Sequence, residues 1–245
     1  MRRILISVLL LLCGACAPVW HAPSDFVTSI YNGTHHYEIM TYARLTDDTS
    51  PIHIYIEGDG NAFDAYGYPS SNPTPHGTLV RDLMVRDTSP NVAYIARPCQ
   101  YIMSDLCSVS DWTDGRFSAD VINAVSDTVR RVAQSRPIIL IGYSGGAMVS
   151  GLIINQNPDM DVRKWITIAG VLNHSDWTEY FGDEPLSKSL NMNVLPQVNQ
   201  LHYVAEKDSV VPASLSARWV GAENLVIIEN ATHDNFSEIK IDFEY

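Results

Sequence analysis

Positive charge is scarce in this chain: 16 Lys and Arg stand against 28 Asp and Glu in 245 residues, a formal net charge of −12. No basic stripe is available to neutralise phosphates, which argues against a nucleic-acid partner. The same deficit disfavours adhesion to anionic lipid through charge. Cysteine is sparse, with four residues, and none is spaced with histidine as zinc requires, so neither a metal nor a cofactor is expected. Long apolar runs are missing except near the N-terminus, where Ile4 to Leu12 follows Met1-Arg2-Arg3 and precedes Gly14-Ala15-Cys16. That run is too short for a stable membrane span and reads as an export signal over 1–15. Internal repeats and low-complexity tracts are absent too. What remains, at 46% hydrophobic and 18% charged, is globular, and one domain is expected over 26–245 after a tether at 16–25.

The chemistry concentrates where Pro137-Ile138-Ile139-Leu140-Ile141, an apolar β-type run, enters Gly142-Tyr143-Ser144-Gly145-Gly146. Beyond it Ala147-Met148-Val149 and Leu152-Ile153-Ile154 are apolar at helical spacing, so a strand must turn sharply into a helix at Ser144. A serine hydroxyl is a poor nucleophile at neutral pH and needs a base, which in turn needs an orienting acid. Asp208 sits in a polar loop after the β-type run ending at Ala205. His233 follows a second such run, Leu225-Val226-Ile227-Ile228. Small residues flanking the serine, and the order Ser144, Asp208, His233, resemble the α/β-hydrolase superfamily. Asp176 is the rival acid, because some relatives carry it after the sixth strand.

That resemblance implies an oxyanion hole built from the Gly145 amide and a second amide in the loop after an earlier strand. Glu57-Gly58-Asp59-Gly60-Asn61 follows the run Ile52 to Ile56 and looks like the His-Gly segment of the superfamily, with Glu57 in place of histidine. The second donor is Asp59, Gly60 or Asn61, with Asp59 favoured.

The fold class implied is α/β, a mostly parallel central sheet with helices on both faces and a small cap insertion at about 171–190. The pattern itself supports this: β-rich segments at 26–30 and 36–42 flank an Asn32-Gly33 hairpin signal. Strands at 52–57, 91–96, 137–142, 164–169, 200–205 and 224–228 then alternate with helices near 76–86, 116–134, 146–156 and 212–219. Ser144, Asp208, His233 and the 58–61 loop all fall at carboxyl ends of strands, where such sheets place their sites. His53 and His202 fall inside strands and are expected in the core, while His174 is a cap or surface residue.

Two stretches break the alternation, 97–116 and 170–190. Trp112 and Trp177, with Tyr180 and Phe181, are candidates to line a substrate pocket there, as is Tyr143 beside the serine, although packing of cap on core explains aromatics equally. In Ile56-Glu57-Gly58-Asp59-Gly60, in Pro98-Cys99-Gln100-Tyr101, and in His174, Trp177-Thr178 and Ser189-Leu190-Asn191, the chain resembles exported bacterial α/β-hydrolases of unassigned substrate. Gly14-Ala15-Cys16 resembles the lipobox of bacterial lipoproteins, which implies lipidation of Cys16 and a membrane anchor in the cell envelope. Simple cleavage after Ala15 would instead release the protein. With Cys13 removed and Cys16 modified, Cys99 and Cys107 remain as an even pair in an oxidising compartment, where a disulfide is expected.

The expected activity is therefore a serine-dependent hydrolase of carboxylic esters, taking a small or lipid-like acyl ester. Acyl transfer or thioester hydrolysis would use the same residues, and a non-catalytic envelope binding protein is the alternative from another class.

Overall fold

Ile52-His53-Ile54-Tyr55-Ile56 is buried at every position, the mark of a strand covered on both faces rather than one. The computed structural model, which describes residues 20–32, 37–236 and 238–245, makes this segment β3 of an eight-stranded sheet. The leader, Cys16 and residues 33–36, where the Asn32-Gly33 hairpin signal falls, lie outside the described residues.

The chain runs β1 (Val27–Asn32), β2 (Glu38–Leu45), β3 (Ile52–Ile56), α1 (Leu79–Arg86), β4 (Asn91–Ile95), α2 (Ala119–Ala133), β5 (Ile138–Tyr143) and α3 (Gly145–Gln156). It continues with β6 (Val162–Ile168), α4 (His174–Phe181), β7 (Asn199–Ala205), α5 (Ala213–Ser216) and β8 (Leu225–Ile228). In space the strands stand in the order β1-β2-β4-β3-β5-β6-β7-β8. β1 pairs with β2 and β2 with β4 antiparallel, and every later pairing is parallel. This is the α/β-hydrolase fold.

Side-chain alternation along the strands feeds two cores. Ile52, Ile54, Ile56 and Leu140 face the layer that includes Val121, Ile122, Val125 and Val129 of α2. Tyr55, Ile139 and Ile141 face the other layer, with Val80, Leu83 and Met84 of α1. α3 is buried from Gly145 through Ile154, because it packs beneath the elbow against β5 and β6.

α3 matches its apolar pattern, while α1, α2 and α5 are shorter than theirs suggest. α2 starts at Ala119 rather than near 116, because Ser118 caps it by accepting the Val121 N–H at 3.3 Å, which leaves Gly115-Arg116-Phe117 in a turn. α5 keeps only four residues. In the 170–190 stretch one helix forms: Asn173 caps α4 through the Asp176 N–H, and Gly182, at φ 70°, ends it.

His53 and His202 are packed strand residues. His53 Nδ1 lies 2.7 Å from Asp87 Oδ2, and its ring stacks on Phe243. His202 bonds Thr167 Oγ1 and Gln200 Oε1. Cys99 and Cys107 form a disulfide, with Cα atoms 5.8 Å apart.

Candidate active site

Ser144 stands at φ 51° and ψ −122° between β5 and α3, a conformation L-residues rarely adopt unless their surroundings enforce it. Three hydrogen bonds do so. The Ser144 N–H donates to Ile168 O at 3.0 Å, and its carbonyl accepts from Ala147 N–H and Val171 N–H, each at 3.1 Å. The flanking glycines are required by contact. A Cβ on Gly142 would overlap the Gly146 carbonyl, and one on Gly146 would come within 2.5 Å of Ile56 O and 2.6 Å of Glu57 O.

The loops after β7 and β8 bring the two partners to this turn. His233 Nε2 lies 3.1 Å from Ser144 Oγ, and His233 Nδ1 lies 2.8 Å from Asp208 Oδ2. Asp208 takes the Val210 and Val211 N–H groups on its other oxygen, both at 2.8 Å, which fixes the plane of the carboxylate. With Asp208 accepting Nδ1–H, Nε2 is left to accept the serine proton. Asp176 is elsewhere: its Oδ2 accepts the Trp219 indole N–H at 2.8 Å. The histidine loop is held by Lys207 N–H on Ala231 O at 2.9 Å and by the Tyr143 hydroxyl, which donates to His233 O and Asp234 Oδ1.

The 57–61 turn packs directly on the elbow. A Cβ on Gly58 would stand 3.0 Å from Ser144 Cβ. Gly58 O accepts from Gln100 Nε2 at 2.9 Å, so in a planar trans peptide the Asp59 N–H points the opposite way. The Asn61 N–H is committed to Pro73 O at 3.0 Å, which removes it as an oxyanion donor. Gly60 holds the turn at φ 66°, where Pro73 O leaves no room for a Cβ. Gly145 opens α3, and its N–H has no partner within the helix for that reason. Glu57, in the place of the usual histidine, splints the turn: it accepts from Gly58 N–H at 3.0 Å and Tyr94 O–H at 2.8 Å. Burial pushes its carboxyl above the usual range, against the pull of those donors.

A feature that pattern reading missed is the side chain of Asp59. Its carboxylate lies against Gly145 and receives Arg97 Nη1 at 3.2 Å and Arg116 Nη1 at 2.7 Å. Burial opposes the charge on Asp59, but the Arg116 and Arg97 guanidiniums outweigh it and hold the carboxyl below the usual range. Arg97 also donates to Arg116 O, and its own N–H donates to Gln100 Oε1 at 3.1 Å. The signal in the sequence was two arginines framing the 97–116 loop of a chain poor in cations.

Ser144 and His233 open on a cavity of about 760 Å³, whose walls include Phe63, Leu79, Phe117, Val171 and Leu186. Of the expected pocket residues, Tyr143 and Trp177 line it and Trp112 does not. Trp112 is buried as part of the larger core, with its indole N–H on Ser70 O at 3.0 Å. Packing of the loop against the domain claims this aromatic. Tyr180 and Phe181 lie on the exposed side of α4. His174 is no surface residue: it is 5% exposed and lines the cavity. Among the described residues no group of three His, Cys, Asp or Glu could hold a metal ion.

No protein-family model matches the chain, and no curated protein matches it by sequence. Solved structures do match it in fold. A lidless α/β serine hydrolase from Xanthomonas campestris aligns with a TM-score of 0.55 at 16% identity, over 89% of this chain and 88% of its own. Mouse α/β-hydrolase domain-containing protein 10 aligns at 0.59 and 15% identity, over 84% and 90%. The esterase domain of a Rhodothermus marinus protein aligns at 0.54 and 12% identity, over 87% and 92%. At these identities the likeness shows the fold.

Proposed function

We propose that this chain is a serine hydrolase of carboxylic esters. The observation that carries the reading is the unbroken path Ser144 Oγ, His233 Nε2, His233 Nδ1, Asp208 Oδ2, with separations of 3.1 and 2.8 Å, on the wall of a cavity. Ser144 Oγ attacks the acyl carbon as His233 Nε2 takes its proton. The carbonyl oxygen becomes an oxyanion received by the Gly145 and Asp59 amides. The imidazolium, stabilised by Asp208, returns the proton to the leaving alkoxide, and an alcohol departs from the acyl-enzyme. Water then attacks under the same base, the acid leaves, and Ser144 recovers its proton. Each amide at the oxyanion is worth about 3 kcal/mol of transition-state stabilisation. An alcohol or thiol acceptor in place of water would make the same site a transferase.

The test is turnover of a short p-nitrophenyl ester by Asp208→Asn and Asp176→Asn. Asp208→Asn should lose on the order of 10⁴ in kcat, because the imidazole is left in the wrong tautomer, and Asp176→Asn should stay within a few-fold of wild type. The reverse pattern would overturn the assignment. We further propose export and lipidation at Cys16, on the leader and the lipobox-like Gly14-Ala15-Cys16. Metabolic labelling with a palmitate analogue checks this, and an unlabelled protein in the soluble fraction counts against it.

A further inference from the structure

His174 is buried to 5% exposure on the cavity wall, and among the described residues neither ring nitrogen makes a hydrogen bond of good geometry, although the backbone of Ser189 and Leu190 lies close to the imidazole. Its ring stacks on Phe117, with centroids 6.0 Å apart at 17°. A buried polar group left in this state costs about 1–3 kcal/mol, and a phenylalanine or leucine would fill the position without that cost. A ligand group that accepts from the imidazole would remove that cost. Burial, and after it the neighbouring Arg116 guanidinium, push the imidazole below its usual range against the opposing pull of the Ser189 and Leu190 backbone, and a neutral imidazole keeps one N–H to donate.

Arg116 lies on the same wall. Its Nη1 is taken by Asp59 and its Nε by Thr113 O, while Nη2 has no protein acceptor among the described residues. Its guanidinium carbon sits 5.9 Å from the Trp177 ring centre and 5.5 Å from that of Phe63. Arg97 and Arg116 share the single carboxylate of Asp59, and Glu57 is engaged by Gly58 and Tyr94 instead. The cavity lining therefore includes one fork nitrogen of a cation and one imidazole N–H, among apolar side chains such as Phe117, Trp177 and Leu186 and with the Asp59 carboxylate already held by Arg116. Two donors suit the two oxygens of a carboxylate.

We propose that Arg116 and His174 form a carboxylate-binding subsite, so that the substrate of Ser144 is an ester carrying a second, free carboxylate. This rests on the esterase reading, and two measurements separate the two claims. The first compares kcat/KM for p-nitrophenyl butyrate with that for the mono-p-nitrophenyl ester of glutarate, which adds the carboxylate. Wild type should favour the charged ester by about tenfold or more, the range of a charge-assisted hydrogen bond. His174→Leu and Arg116→Lys should each reduce that ratio several-fold, and reading the ratio within one variant cancels any change in folded fraction or general activity. The second measures glutarate binding to Ser144→Ala by calorimetry, with 1,5-pentanediol as the uncharged control. Glutarate should bind, the diol should not, and Ser144→Ala with His174→Leu should lose the glutarate signal. A wild type that turns over the neutral ester as well as the charged one overturns the subsite and leaves the esterase standing. Glutarate bound by Ser144→Ala, with neither ester hydrolysed by wild type, upholds the subsite and removes the esterase. Equal signals from glutarate and the diol overturn the subsite.

Discussion

The left-handed backbone at Ser144 survives because its amide and carbonyl are both tied down and because Gly142 and Gly146 leave room for the chains that cross there. Gly146→Ala should therefore be severe, since its Cβ meets the immovable backbone of Ile56 and Glu57. A loss of about 2–4 kcal/mol, read as a lowered urea midpoint, is expected. The meeting of Ser144, Asp208 and His233 could be read from the chain because each lies in the short segment that leaves the carboxyl end of β5, β7 or β8, and neighbouring strand ends lie close together. The Asp59 clamp could not. Its partners lie 38 and 57 residues away in sequence, and nothing local tells a carboxylate which distant guanidinium it will meet. Trp112 shows the same limit: an aromatic in a loop satisfies a core or a cavity equally well, and only the tertiary packing of the larger core decides it.

Among the elements, the strands were legible because a two-sided parallel sheet demands continuous apolar runs. Helix ends were less so, because caps such as Ser118 override periodicity. The 97–116 loop connects the fold to the site. The disulfide staples it, Gln100 turns the Gly58–Asp59 peptide, and the two arginines grip Asp59. Gln100→Leu should free the Gly58 carbonyl and let the Asp59 amide drift from the oxyanion. The expected result is a fall in kcat of about tenfold or more with KM little changed, because the lost interaction is made in the transition state. Replacing Cys99 and Cys107 by serine should lower stability by about 2.5 kcal/mol, the entropy of so short a loop, measured as the shift in unfolding midpoint under oxidising conditions.

Across the whole molecule the eight-stranded sheet buries His202 completely between β6 and β8, and burial pushes its imidazole down to about 4. The unfolded chain titrates near 6.5. Between these values the unfolded state holds a proton that the folded state refuses, so the contribution is full above about pH 6.5 and lost as pH falls toward 4. The span amounts to about 3 kcal/mol. Urea unfolding at pH 7 and pH 5 should show this slope in wild type and a shallower one in His202→Gln. The fold as a whole serves one juxtaposition, the carboxyl ends of β5, β7 and β8 meeting at a cavity. There, on the proposed reading, Ser144 is an activated nucleophile. Reaction with a fluorophosphonate probe tests that most directly: wild type should label covalently at Ser144 and Ser144→Ala should not label at all, whereas equal labelling of the two proteins would contradict it.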